Sequence, residues 1–80
     1  MIPKWVVKDV EPLDDYKLLV TFVHGEQKIY DMAPLLEYPV FKPLSNTVFF
    51  KSAHTDGCTV VWNDEIDIDP ESLYNEGISI

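Results

Sequence analysis
The segment Lys17 to Val23 alternates, with Leu18, Val20 and Phe22 on one side and Lys17, Leu19 and Thr21 on the other. In a chain of 80 residues this pattern limits the fold. An apolar strand face must be covered, and antiparallel sheets commonly pack one face and leave the other in water. The neighbouring segments supply partners. Trp5 to Val10 reads as a first strand, with Pro12 ending its regular pairing and Asp14-Asp15 turning the chain. His24-Gly25 gives a tight turn, because glycine tolerates positive φ. Gln27 to Asp31 is a third strand, with Ile29 expected inward and Lys28 and Tyr30 on the opposite side.

The middle of the chain changes character. Asp31 before Met32-Ala33-Pro34 reads as a helix cap, and that helix cannot pass Tyr38-Pro39. Val40, Phe41 and Leu44 recur at helical spacing in a packed connector, and Asn46-Thr47 is a polar break. Val48 to His54 and Cys58 to Trp62, joined by Asp56-Gly57, read as a second hairpin. Ile66 and Ile68 point inward between acids. Asp69-Pro70-Glu71-Ser72 reads as cap, first helical residue and first turn, with Gly77 as the stop. The reading is one α+β domain over residues 1–80, a two-layer antiparallel sheet in β-β-β-α-β-β-α order with helices on one face.

Composition bounds the class. The 46% apolar and 12% aromatic content is that of a folded protein. A domain this small buries only about 60–65% of its unfolded surface. The single cysteine, Cys58, excludes an internal disulfide. Small secreted domains usually need such staples, so a cytoplasmic location is expected. No apolar run reaches the ~20 residues of a membrane span.

Charge is distributed one-sidedly. The chain has six lysines and no arginine, and every lysine lies at or before Lys51. Residues 56–80 hold Asp56, Asp64, Glu65, Asp67, Asp69, Glu71 and Glu76 with no base. The net charge of −8 argues against direct nucleic-acid binding and against anionic membranes, and for a basic protein partner. Lysines 4, 8, 17, 28, 42 and 51 are scattered and read as solvated positions and edge protection.

Sharper chemistries fare less well. Glu65, Asp67, Asp69, Glu71 and Glu76 have the spacing of a calcium loop, but that loop needs glycine at its sixth position, where this chain has Pro70. A cap and a solvated strand face explain the same acids. Asp67 and Asp69 share a strand face without a third group to complete acid–base machinery. His54 and Cys58 flank the Asp56-Gly57 turn, where a two-residue hairpin would bring them together as a nucleophile pair or half a metal site. No catalytic residue, cofactor or metal is assigned. Trp62 and Tyr74 read as packing groups, and Trp5 as a cap on the sheet or a dimer contact.

Asp14-Asp15-Tyr16-Lys17-Leu18, Val20-Thr21-Phe22 with Gly25, Asp31 with Leu35-Leu36, Phe41-Lys42-Pro43-Leu44, and Asp56-Gly57 followed by Val61-Trp62 resemble a small bacterial family, the domain of unknown function 2442. The closing Asp67-Ile68-Asp69-Pro70-Glu71-Ser72-Leu73-Tyr74 is the most specific part, and the likeness runs from about Lys8 to Tyr74. The resemblance implies three strands, a helix, two strands and a helix, with no enzyme activity. Members often lie beside a small toxin, which implies an antitoxin-like or accessory role. Some carry a further helix-turn-helix domain, which the 80 residues here lack. After Trp62 the family pattern has proline and glycine, whereas this chain has Asn63-Asp64-Glu65. The expected function is a non-enzymatic interaction module whose partner surface is Asp64, Glu65, Asp67, Asp69, Glu71 and Glu76. The alternatives are a homodimerising structural domain and an enzyme or small-ligand carrier built on His54 and Cys58.

Overall fold
A computed structural model describes residues 2–80. Its main sheet has four antiparallel strands in the order β1 (Val7–Pro12), β2 (Lys17–Phe22), β3 (Gln27–Asp31) and β6 (Ile78–Ser79). A small second sheet pairs β4 (His54–Thr55) with β5 (Val60–Val61). Three 3₁₀ segments, Asp14–Tyr16, Ala33–Glu37 and Pro39–Ser45, and helices α1 (Thr47–Phe50) and α2 (Pro70–Glu76) complete a mixed α+β fold.

The alternation in β2 holds: Leu18, Val20 and Phe22 are completely buried. Burying a side chain of this size stabilises a fold by about 1.5–3 kcal/mol. The parity expected for β3 is reversed. Phe22 N–H donates to the Glu26 carbonyl at 2.8 Å, which closes the turn around Gly25 (φ 93°) and pairs Leu18 with Tyr30 and Val20 with Lys28. Directly opposed residues share a face. Tyr30 therefore joins the core, and Ile29 takes the outer face with Leu19.

β1 starts and ends two residues later than expected. Trp5 lies in the turn before it, and Pro12 is its last paired residue, opposite Leu18. Leu13 N–H donates to the Lys17 carbonyl, so the main-chain groups of odd-numbered residues there point toward β2. The nitrogen of Pro12 points to the open edge, where its missing N–H costs nothing. A bulge between Val7 and Asp9 resets the register.

The expected strand from Val48 to His54 is mostly a different element. Asn46 caps α1, accepting from the N–H groups of Val48 (2.9 Å) and Phe49 (3.3 Å). Phe50 is buried while Val48 is 81% exposed. The cap and the packing of Phe50 against Tyr16 (5.3 Å between centroids) and Trp62 (6.1 Å) override the strand preference of Val-Phe-Phe. The hairpin is short, pairing His54 with Val61 and Thr55 with Val60 around a four-residue loop.

At the C-terminal end, Asp69 caps α2 by accepting from Glu71 N–H at 3.1 Å. Gly77 follows with φ −68°, so no left-handed turn explains it. It is required by close packing instead: a Cβ there would lie 2.6 Å from the Leu73 carbonyl oxygen and 3.0 Å from Lys28 Cβ. This approach lets the chain leave α2 directly into β6, a strand the sequence reading did not contain.

Candidate functional site
All six C-terminal acids assigned to a partner surface, Asp64, Glu65, Asp67, Asp69, Glu71 and Glu76, are exposed. Asn63 positions the first two by accepting from Glu65 N–H (2.8 Å) and Ile66 N–H (2.9 Å), while Trp62 N–H donates to the Ile66 carbonyl. The departure after Trp62 is thus closed by an asparagine side chain in place of proline and glycine. Ile66 and Ile68 are buried, and the intervening Asp67 bridges to Val61 and stays in water.

The structure does not gather these acids into one basin. Asp64 and Asp67 line a depression of about 370 Å³ together with His54, Asp56, Val61 and Asn63. Glu71 lines another with Lys4, Trp5, Tyr74 and Asn75. Glu76 lines a third beside Tyr30, Asp31 and Ile78. Asp69 is committed to its cap. Among the described residues the ion pairs are Lys28–Glu26 (3.8 Å) and Lys51–Asp14 (3.3 Å), and neither uses any of the six.

Asp56 belongs beside Asp64 and Asp67, although the sequence reading counted it among the C-terminal acids without placing it on the partner surface. Its Oδ1 accepts from Thr59 N–H (3.0 Å) and Cys58 N–H (2.9 Å). Those bonds, from Thr59 first, hold its carboxyl below the usual value of 3.8. The Tyr30 hydroxyl is pushed above 10.0, chiefly by burial and then by Glu76, to which it donates at 3.5 Å.

The proposed closeness of His54 and Cys58 across a two-residue hairpin is not realised. His54 pairs with Val61, while Cys58 is exposed in the loop, where its carbonyl accepts from Val7 N–H. The described residues contain no group of three or more His, Cys, Asp or Glu able to hold a metal ion. They include no helix long and apolar enough to cross a membrane.

Lys28 is a further correction, since its side chain is only 11% exposed. Its register opposite Val20 turns it inward, where Nζ lies 3.9 Å from the centroid of the Tyr74 ring and donates to the Tyr74 carbonyl. Tyr74 in turn meets Phe22 edge-on at 5.0 Å and donates from its hydroxyl to Glu26 at 2.7 Å. Glu26, Lys28 and Tyr74 lock α2 to the sheet, a structural use of charge.

A family model described as protein of unknown function (DUF2442) matches residues 7–79. The chain belongs to that family. The match spans both sheets, α1 and α2, so the DUF2442 unit and the fold described above are the same object. No curated protein and no solved structure matches the chain.

Proposed function
We propose that this DUF2442 chain is a non-enzymatic protein-interaction module, with the acids of its C-terminal third recruiting a basic protein. The supporting observation is that Asp64, Glu65, Asp67, Asp69, Glu71 and Glu76 are exposed and that none has a cationic partner among the described residues. Unpaired carboxylates project a field that accelerates encounter with a cation-bearing surface, and that acceleration fades with salt. The acids line separate depressions, so their field is distributed over the surface and not focused in one pocket, which suits steering of the encounter. The toxin neighbours implied by the family resemblance make a small basic toxin the first partner to try, in an antitoxin-like or accessory role in the cytoplasm.

The test is a stopped-flow association measurement with that partner, on the wild type and on the double substitution Asp64→Lys, Asp67→Lys. Association is expected to slow by about tenfold or more at low ionic strength, with the two proteins converging as salt rises. Equal rates at low salt would sink the reading.

A further inference from the structure
The two edges of the main sheet are built differently. β1 carries Lys8, Asp9, Glu11, Pro12 and a bulge, all devices that discourage another strand from pairing. Its Val7 end is also covered, with Val7 N–H donating to Cys58. β6 has none of these. It is Ile78-Ser79, followed by Ile80, with both isoleucines 71% exposed. Phe22 N–H donates to Glu26 and Met32 N–H to Tyr16, so the even-numbered residues of β3 address β2. Ile29 therefore exchanges main-chain bonds with Ile78, and the N–H and carbonyl of Ser79 are directed away from the sheet.

Beside this bare edge lies a groove of about 160 Å³, walled by Ile29, Pro34, Leu35 and Ile78, with Asp31 and Glu76 at it. A space of ~150 Å³ takes a benzene-sized group. Open backbone, an apolar slot and two carboxylates together describe a receptor for one kind of chain. We propose that the β6 edge accepts an extended partner segment by strand addition, with an apolar side chain in the groove and a neighbouring lysine or arginine against Asp31 and Glu76. This rests on the reading of the protein as an acidic interaction module, and it names where and in what form the partner binds. A second copy of the chain fits less well, since it would bring another molecule of charge −8 to the same carboxylates.

The probe is a short synthetic peptide of alternating valine and lysine, titrated into the isotope-labelled protein and followed by NMR. The expected result is saturable shifts and slowed hydrogen exchange at Ser79. Ser79→Pro removes only the outward N–H and should weaken binding by about tenfold while leaving the core spectrum unchanged. Glu76→Gln should weaken it by about threefold. Unchanged affinity in Ser79→Pro, with binding still sensitive to Asp64→Lys and Asp67→Lys, would overturn strand addition and leave the acidic module standing. Equal binding of a valine–glutamate peptide would overturn the basic occupant and the acidic-module reading together. A wild-type dimer abolished by Ser79→Pro would assign the edge to a second copy and overturn the proposal.

Discussion

Asp56 and Asn63 do similar work with different consequences. Each accepts two loop N–H groups through one side-chain oxygen. Only Asp56 titrates. The donors from Thr59 and Cys58 favour its ionised form, so its pKa is lower in the folded chain than in the unfolded one. The stabilisation is therefore complete above the unfolded value of 3.8 and is lost as the pH falls through the folded value. Asp56→Asn keeps the acceptor and removes the titration. It should flatten the acid limb of the stability curve below about pH 4. An NMR titration of Asp56 should find its midpoint below 3.8, and a midpoint at or above that value would contradict the assignment.

Among the elements, β3 shows how a turn decides a face. Nothing in Gln-Lys-Ile-Tyr-Asp favours Tyr30 over Ile29 as the inward residue, and hydropathy alone favours isoleucine. The Phe22–Glu26 closure sets the register, and a slip of one residue would exchange every side chain between faces. Tyr30→Ala should therefore cost about 3 kcal/mol or more, as deletion of a buried aromatic does. Ile29→Ala, on the outer face, should cost about 1 kcal/mol or less. Urea denaturation of both variants checks the order, and the reverse ranking would place Ile29 in the core. α1 teaches a related lesson. Asn46 before Thr-Val-Phe-Phe is an N-cap, and the burial of Phe50 with exposure of Val48 follows helical spacing. Read as a polar break, the same asparagine led to a strand.

At the scale of the whole molecule, the radius of gyration is 11.7 Å, close to the about 12 Å expected for a compact chain of this length. A charge of −8 is thus confined to 4966 Å² of surface, with two ion pairs among the described residues to offset it. Self-repulsion opposes the folded state and is screened by salt. Raising sodium chloride from low to near-physiological ionic strength should increase the unfolding free energy by a few tenths of a kcal/mol, on the order of several weak surface charge interactions. Falling stability over that range would mean that attractive pairs dominate the surface.

Residue order alone specified what depends on neighbours along the chain. That includes the inward face of β2, the Asp69-Pro70 start of α2, the bend at Gly25, the burial of Ile66 and Ile68, and the acidic C-terminal third. The acidity is composition, and the others follow from periodicity, capping or glycine conformation within a few residues. Features that join distant segments needed the folded chain. Tyr30 and Lys28 face inward because of a register, β6 exists because Ile78 reaches Ile29, and Asp56 stands with Asp64 and Asp67 because β5 folds back beside β4. Long-range pairing supplies hydrogen bonds that no local pattern encodes, so the bare edge and the division of the acids among separate depressions emerged only in three dimensions.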